Sequence, residues 1–582
     1  MSGLPQTQPR GARVVHHAAF LAALVVGLVA SFGCRGAIGE RVEDDPVGPR
    51  TSDECQKPLQ TQLPPVYRSL TGAQYATVLA TAFPSATSAV EAMPNPWLLS
   101  EASTEYTTNA GSLKMMLNGT NAIAAEARAE LNVEYPCLRD TPGDRSCLER
   151  VVDGTLAKLY NGEIVASERD SKVDYLAQLL EDFSFDLALD TFVSTVMMSP
   201  RALYRSEMGV DNGDGTSTLT AREMADALSF QISGGRPDAP LLRAIEDGDL
   251  SLEEMREHGQ RLAHATGRSG PERFVSELMT IGHMDDVFRV DGDEQDAIPD
   301  AVKDALRAEA EEFIRRSVRS GGPIVDHLLT SETAIAGPLT LPLHGVDVGE
   351  VTPDEDGFYV LDTSGRPGLM LQPAMMALLA QREHTDPVKR GNFVLSRFIC
   401  FEMPAAPPDV PALDAVDSDM PMTVRERLEI SHQDPTCNTC HRYMDGIGLS
   451  FEAFDHLGRE RTLELGEPVD TSGSVNVRVA SVDGDLDNAQ ELVQRLSAAG
   501  EVQTCVATHA FSYVSGVPAD TSLDTCLFEA NQSIAEDAGG DIVEEFVRIL
   551  SSELYRVRHL DRVSPYTPGE VPPEPEPEPE PE

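Results

Sequence analysis

Apolar residues recur every three to four positions in much of the chain, a spacing that places them on one face of an α-helix. Two clear series are Val302, Leu306, Ala310, Phe313 and Ser317, and Leu187, Phe192, Val193, Val196 and Met197. Such series are typical of helices that bury one face in a core. We therefore predict a helix over each series, with these residues facing the interior.

Helix starts are predicted by three capping boxes, in which a hydroxyl side chain and a carboxylate three residues later bond each other's backbone amides. They lie at residues 220–223, 251–254 and 423–426. Strand patterns are few, and the short candidates are residues 358–361 and 475–479. The sequence thus predicts a mainly α fold with minor β, built from several helical modules in tandem.

The start of the chain has the layout of an export signal. Arg10 and Arg13 precede an apolar stretch over residues 14–30, and Gly33 stands directly before Cys34. A basic segment followed by an apolar one is typical of secretory signals, and a small residue before a cysteine resembles a bacterial lipoprotein cleavage box. We predict a lipoprotein signal peptide over residues 1–34 with lipid on Cys34; ordinary cleavage and a retained anchor are the alternatives.

The segment after the signal, residues 35–62, is polar and contains Gly and Pro, which predicts a flexible tether. No later apolar run reaches the roughly 20 residues needed to span a bilayer. We therefore predict contact with the membrane through the lipid anchor only. The folded body is expected in the periplasm or at the cell surface of a bacterium.

Composition and charge limit the remaining possibilities. The 582 residues are 41% hydrophobic, and 95 acidic against 46 basic residues give a net charge of −49. A nucleic-acid partner is excluded, because the phosphate backbone would be repelled across most of this surface. Residues 561–582 end in Pro-Glu repeats without apolar side chains, which predicts a disordered tail.

The chain contains nine cysteines, which suggest disulfides and a site of covalent haem attachment. Disulfides persist in the oxidising compartment to which an export signal leads. Cys137 with Cys147 and Cys505 with Cys526 are close enough in sequence to predict local disulfides, with free buried thiols as the alternative. The partners of Cys55 and Cys400 stay open.

The run Cys437-Asn438-Thr439-Cys440-His441 has the C-x-x-C-H pattern of covalent haem attachment. In that chemistry the two thiols add to the porphyrin, and the adjacent imidazole binds the iron as the proximal ligand. Pro435 fits the first turn of a helix that would carry all three side chains. The alternatives are a tight Cys437–Cys440 disulfide and a zinc or other thiolate site.

Several motifs together resemble the planctomycete and myxobacterial secreted-domain proteins, over roughly residues 63–560. The residues that carry the resemblance are Arg68, Ser69, Leu70, Thr71 and Tyr75; Ser199 to Arg201, Leu203 to Arg205 and Glu207; Leu219, Thr220, Glu223, Leu228 to Phe230, Pro237 and Asp238; Pro387 to Gly391, Val394, Leu395 and Cys400; Pro404 to Pro411; His432, Asp434, Pro435, Cys437 to His441, Met444, Asp445, Gly448, Glu452, Phe454, Asp455 and Gly458; and Cys505, Tyr513, Gly516, Asp524 and Ser551 to Arg558.

The resemblance implies a chain of helical modules that includes a small cytochrome c-like module. We predict an N-terminal helical domain over 63–133, a helical domain with Cys137 and Cys147 over 134–200, a central helical domain over 188–335, the cytochrome c-like module over 366–465 and a C-terminal helical domain with Cys505 and Cys526 over 488–560. The cofactor implied is one haem c.

The second axial ligand of this haem stays open. Met444 lies three residues beyond His441 on the same helix face, so it would pack beside the haem without reaching the opposite side of the iron. His432 suits a hydrogen-bonding role next to the ligand. No methionine follows Met444. The candidates for the opposite side are Met370, Met375, Met376, Met403, His456 and His509, and an empty position is the remaining alternative.

Three functions follow from these alternatives. The first is electron transfer by a single-haem module to or from an unknown redox partner protein. The second is an extracellular oxidoreductase that acts on an organic substrate such as a carbohydrate. The third is a surface binding or structural lipoprotein without redox chemistry.

Overall fold

The computed structural model describes residues 63–93, 110–246, 250–265, 269–286, 299–401, 403, 422–432, 435–517 and 525–560, apart from 163, 364 and 383. The predicted signal, lipid site, tether and tail therefore lie outside the described residues, as does Cys55. No helix of the described residues is both long and apolar enough to cross a membrane.

Among the residues described before Met208, the structure has eight helices and two strands: β1 (Val66–Ser69), α1 (Gly72–Ala82), α2 (Thr87–Glu91), α3 (Ala110–Glu134), α4 (Cys137–Asp140), α5 (Arg145–Leu159), α6 (Ala166–Asp182), α7 (Phe185–Met197), α8 (Pro200–Leu203) and β2 (Tyr204–Glu207). Buried side chains from Leu70 to Ala202, together with Phe230, pack into one cluster, which we call core 1. Strands β1 and β2 pair antiparallel at its edge.

The rest of the chain is also mainly helical: β3 (Val210–Asp211), β4 (Thr216–Thr218), α9 (Ala221–Ser233), α10 (Ala239–Glu246), α11 (Leu252–Ala265), α12 (Ser269–Leu278), α13 (Asp300–Ser320), α14 (Ile324–Thr330), β5 (Thr333–Ala336), β6 (Tyr359–Asp362), α15 (Pro373–Leu378), α16 (Pro387–Phe398), α17 (Val424–Ser431), α18 (Pro435–Leu449), β7 (Leu463–Glu464), β8 (Glu467–Pro468), β9 (Gly473–Val475), β10 (Gly484–Leu486), α19 (Ala489–Ser497), α20 (Gly500–Ser515), α21 (Thr525–Ala538), α22 (Ile542–Leu550), α23 (Glu553–Arg556) and β11 (Val557–His559). All named sheets are antiparallel and have two or three strands. The predicted class, mainly α with minor β, is confirmed.

A second cluster of buried side chains, core 2, runs from Leu219 to Tyr555 and also includes Leu63. It takes residues from the predicted central domain, the predicted cytochrome c-like module and the predicted C-terminal domain. These three segments therefore share one continuous apolar interior. The boundaries between them stay predictions.

All three predicted capping boxes are formed. Thr220 and Thr423 each accept a hydrogen bond from the backbone of the glutamate three residues on, and that glutamate accepts one in return. Ser251 and Glu254 make the same reciprocal pair. The predicted helix starts are confirmed because a capping box depends only on local sequence.

The two predicted apolar series are confirmed except at one residue. Leu306, Ala310 and Phe313 are buried in core 2, and the second series is buried in core 1 from Phe192 onward. Leu187 was predicted to be buried, but its side chain is 51% exposed. It precedes Phe192 by five residues, and at about 100° per residue it lies well off the buried face of α7.

The strand predictions were partly right. Residues 359–362 form β6, which pairs with β5 close to the predicted position. The second candidate, residues 475–479, was wrong in its extent, because β9 ends at Val475. Beyond it, the amide of Val477 donates to the side chain of Asp483, so the chain turns away from the ladder.

Cores 1 and 2 meet at a buried ionic cluster centred on Glu207. The Glu207 carboxylate accepts hydrogen bonds from Arg68 (3.0 Å), Arg558 (2.9 Å) and Tyr555 (2.8 Å), and from Arg205. These groups come from β1, β2 and the C-terminal pair α23 and β11. Burial alone would raise the pKa of Glu207, but the three guanidinium charges outweigh it and hold the pKa well below its usual range.

Candidate functional site

Helix α18 carries the C-x-x-C-H run, and Pro435 is its first residue, as predicted. Proline suits that position because its missing amide would have no partner there in any case. Cys437, Cys440 and His441 then follow at helical spacings of three and four residues, which place them on neighbouring turns of one face. The local sequence thus presents two thiols and an imidazole together.

The two cysteines of the run are not bonded to each other. Cys437 and Cys440 are both free and half-buried, and Cys440 packs against the edge of core 2. The tight disulfide considered as an alternative is therefore not formed. Both sulfur atoms are outside any disulfide, as covalent haem attachment requires.

His441 is oriented by a carboxylate one turn further along α18. Its Nδ1 lies 3.1 Å from Oδ1 of Asp445. A carboxylate only accepts hydrogen bonds, so Nδ1 carries a proton, and in the neutral imidazole this leaves the lone pair on Nε2. This is the arrangement found where a histidine binds a metal and its second nitrogen is held by a protein group.

His432, at the end of α17, shares the same carboxylate. Its Nδ1 is 2.6 Å from Oδ2 of Asp445, and its ring stacks on that of His441 with centroids 3.5 Å apart. Stacking covers one face of the His441 ring, whereas the Nε2 lone pair that would bind a metal lies in the plane of the ring. His432 therefore hydrogen-bonds next to the predicted ligand, through Asp445.

Asp445 was recognised from the sequence as a motif residue, but no role in this group was predicted for it. Burial alone raises the pKa of its carboxyl, but the hydrogen bonds from His432 and His441 outweigh burial, and the pKa lies below its usual value. A half-buried anion thus stands between two imidazoles. Its spacing of four residues from His441 was the available signal.

The ligating atoms of His432, His441 and Asp445 all lie within 4.8 Å of one another. Within the part of the chain that the structure describes, Cys437 and Cys440 do not join this group. The thiols and imidazoles consequently do not converge on one four-ligand centre of the kind that zinc prefers. The geometry favours separate roles for sulfur and imidazole.

Helices α18 and α16 pack closely against each other at two glycines. A Cβ atom on Gly391 would lie 2.2 Å from the carbonyl oxygen of Met444, and one on Gly448 would lie 1.8 Å from that of Pro387. The two helices therefore cross with their backbones in contact. On another side, a Cβ on Gly446 would meet the backbone of Ser474 in β9 at 2.6 Å. Glycines in α18 and α16 thus fix the position of the site.

Arg390 of α16 fixes the loop that follows α18. Its buried guanidinium donates to the carbonyls of Phe451 and Phe454 at 3.1 Å each, and to that of Asp455 at 3.1 Å. Burial lowers the pKa of Arg390, and the nearby Glu452 partly opposes this effect. The predicted Pro387 to Gly391 motif is therefore a structural clamp for the candidate site.

The structure describes the surroundings of most candidates for the second axial ligand and of Met444. Met370, Met375 and Met376 are fully buried in core 2, and Met403 packs against its edge. His509 Nε2 lies 3.1 Å from the carbonyl oxygen of Ser396. Met444 is buried in core 2, and its carbonyl lies against Gly391.

One predicted disulfide is confirmed and one is wrong. Cys137 and Cys147 are bonded. Cys505 is bonded to Cys400 and not, as predicted, to Cys526, whose side chain lies outside the described residues. The reason is tertiary: α16 packs against α20 and brings the Cα atoms of Cys400 and Cys505 to 5.5 Å, although they are 105 residues apart in sequence.

Comparisons with known proteins match two segments of the chain. No curated protein and no solved structure matches it. Residues 219–341 match the family model PSD4, described as a protein of unknown function (DUF1592), and residues 366–464 match PSCyt3, described as a protein of unknown function (DUF1588). The second match contains α16, α17 and α18, so the segment that holds the candidate site is similar to a planctomycete cytochrome-like family.

Proposed function

We propose that residues 366–464 carry one covalently attached c-type haem and that the protein transfers electrons. The observation that carries the proposal is the state of the C-x-x-C-H run: two unbonded cysteines share a helix face with an imidazole whose Nδ1 is held by Asp445, which leaves Nε2 as the nitrogen that would ligate. The match to a cytochrome-like family supports it. Cys437 and Cys440 would hold the porphyrin, and His441 would bind its iron.

The bound haem would supply one-electron redox chemistry, and the chain's own residues would set its midpoint potential. Asp445 keeps the proton of His441 on Nδ1 and places a negative charge behind the ring. A hydrogen-bonded carboxylate makes the ligand more basic and so stabilises the oxidised iron. Asp445 and His432 therefore belong to the proposed redox centre, although neither binds the iron.

Export and membrane anchoring complete the proposal. Two disulfides, Cys137–Cys147 and Cys400–Cys505, are of the kind that persists outside the cytoplasm, where c-type haem is also attached. We propose that the protein lies on the periplasmic or outer side of a bacterial membrane and is held there by lipid on Cys34. Its partner would be another redox protein.

A second function, an oxidoreductase acting on an external organic substrate, would apply if one coordination position of the iron stayed open. An iron with an open position binds small molecules such as peroxide, whereas a closed one only passes electrons. Turnover with haem reduction, lost in Cys440→Ala, would establish the oxidoreductase.

A redox titration of protein matured in a bacterial periplasm tests the role of Asp445. We expect a reversible one-electron change in the visible spectrum. Replacing Asp445 by Asn should raise the midpoint potential by about 60 mV, the shift for a tenfold change in the relative stability of the two oxidation states.

The matched control is Asp174→Asn, which removes the same charge from an exposed residue of α6, near core 1. This variant should keep the potential of the natural protein. A potential that moves equally in both variants, or in neither, would contradict the assignment of Asp445.

A further inference from the structure

The Cys400–Cys505 disulfide is a redox-active group that lies outside the candidate haem site. Cys400 follows α16 directly and is exposed, whereas Cys505 lies inside α20 and is only 3% exposed. The disulfide therefore joins the segment that resembles a cytochrome to the C-terminal helices. One sulfur is open to an incoming thiol, and the other is enclosed.

The backbone of Cys400 is in the left-handed region, with φ at +53°. Residues other than glycine adopt this conformation at an energetic cost, because Cβ approaches the backbone too closely. Such residues are concentrated at functional sites. Opening the disulfide would free Cys400 from the anchor that restrains it here, so the local geometry favours reduction.

An imidazole lies beside the exposed sulfur. His509 Nε2 is 3.1 Å from the carbonyl oxygen of Ser396 and 3.6 Å from Sγ of Cys400. Since a carbonyl can only accept, Nε2 carries a proton, and that N–H also faces the sulfur. Burial lowers the pKa of His509, so the ring is a neutral donor at neutral pH. One nitrogen of His509 and both sulfurs lie within 4.8 Å of one another.

We propose that Cys400–Cys505 is a thiol–disulfide exchange site that accepts electrons from a dithiol, with His509 as the group that stabilises the Cys400 thiolate. One thiolate of the dithiol attacks the exposed Sγ of Cys400. The Cys400–Cys505 bond breaks, a mixed disulfide forms, and Cys505 leaves as a thiolate and takes up a proton.

The second thiol of the dithiol then loses its proton and attacks its own sulfur in the mixed disulfide. Cys400 leaves as a thiolate next to the N–H of His509 and is protonated. The dithiol is oxidised by two electrons to a disulfide, the protein disulfide is reduced to two thiols, and the two protons of the dithiol end on Cys400 and Cys505.

The exchange site lies close to helix α18. Phe401, the residue after Cys400, packs on the ring of Tyr443 with centroids 4.9 Å apart, and Tyr443 is two residues beyond His441. Opening the disulfide would thus loosen a contact of the helix that carries the candidate haem site. The exchange chemistry itself does not depend on haem.

The chain contains its own control disulfide. Cys147 is fully buried in core 1, and among the described residues no histidine joins Cys137 and Cys147 in a comparable cluster. A purely structural role for Cys400–Cys505 predicts that both disulfides behave alike. A role in exchange predicts that they differ.

The test incubates the folded full-length chain with dithiothreitol or, separately, with reduced thioredoxin, at constant pH. Free thiols are alkylated at intervals and assigned by mass spectrometry. We expect Cys400–Cys505 to be reduced about tenfold faster than Cys137–Cys147, because access and stabilisation of the leaving thiolate control the rate. A larger ratio with thioredoxin would identify a protein dithiol as the source, and equal ratios would identify a small dithiol.

Variants of His509 separate its role from packing. His509→Phe, which has no N–H, should slow the reduction of Cys400–Cys505 several-fold and leave Cys137–Cys147 unchanged, whereas His509→Gln, which keeps an N–H, should restore part of the rate. Equal rates for the two disulfides in the natural protein would overturn the proposal. So would a His509→Phe variant that slows both disulfides or neither.

Discussion

Replacing Glu207 by Gln is expected to lower the free energy of unfolding by about 4 kcal/mol, the cost of leaving buried charges without their partner. Arg205 and Arg558 are each 1% exposed, and Glu207 is fully buried. Gln keeps the size of the side chain but removes the negative charge that balances Arg68, Arg205 and Arg558. The loss should be measured by urea denaturation of the full chain.

The pH dependence of this loss identifies its electrostatic origin. The pKa of Glu207 is held well below its usual range in the folded protein, while an unfolded glutamate has a pKa of about 4.3. The stabilisation is therefore complete at neutral pH and is lost as the pH falls below about 4, where the unfolded chain binds the proton first. The difference in free energy of unfolding between the natural protein and Glu207→Gln should therefore become smaller as the pH falls below about 4.

Glu253→Gln is the matched control for Glu207. Glu253 pairs with Arg256, but its side chain is 70% exposed, and exposed pairs contribute little. We expect no measurable change in stability. A Glu207→Gln variant that unfolds at the same urea concentration as Glu253→Gln would show that the buried cluster does not hold cores 1 and 2 together.

Replacing Gly448 by Ala should destabilise the protein by at least about 2 kcal/mol, the range observed when atoms are forced into a well-packed interior. In an exposed helix the same change would stabilise by about 1 kcal/mol, because alanine is the better helix former. Here the new Cβ would lie 1.8 Å from the carbonyl oxygen of Pro387. Helices α16 and α18 would have to separate, and denaturation curves should show the loss.

Gly500→Ala provides the matched control, since Gly500 begins α20 and a Cβ there would meet no atom within 4 Å. This variant should be as stable as the natural protein or slightly more stable. If Gly448→Ala is equally stable, helices α16 and α18 do not cross in backbone contact. The packing described here for the helix that carries the candidate site would then be wrong.

Local features of the fold could be predicted from the sequence because their causes are local. The capping boxes at Thr220, Ser251 and Thr423 fix helix starts through bonds between residues three apart. Pro435 predicts the start of α18 for another local reason, because its missing amide would have no partner in the first turn. The predicted burial of the apolar series failed only at Leu187, where the spacing to the next member departs from the helical repeat.

Contacts between distant segments could not be predicted in this way. Arg68, Glu207 and Arg558 were recognised as motif residues, but nothing in their separate motifs indicated that they form one ionic cluster. The partner of Cys505 was likewise decided by the packing of α16 on α20 and not by sequence distance. Tertiary packing can therefore override a pairing that sequence distance favours.

The candidate site was predicted in its chemistry but not in its geometry. The C-x-x-C-H run named Cys437, Cys440 and His441, and the resemblance added His432. The sequence did not reveal that Asp445 binds both imidazoles, because this requires α17 to end where its last residues meet α18. The sequence also did not show why Gly391 and Gly448 are glycines, because the reason is the close approach of a backbone from the neighbouring helix.

The central claim is that Cys437 and Cys440 hold a porphyrin through two thioether bonds. The most direct measurement is the mass of the tryptic peptide of residues 428–442, which contains both cysteines and His441, from protein matured in a periplasm with haem-attachment machinery. The account predicts that this peptide gains the mass of one haem and keeps it after denaturation. A peptide with two unmodified thiols, or with the loss of two hydrogens that marks a disulfide, would contradict it.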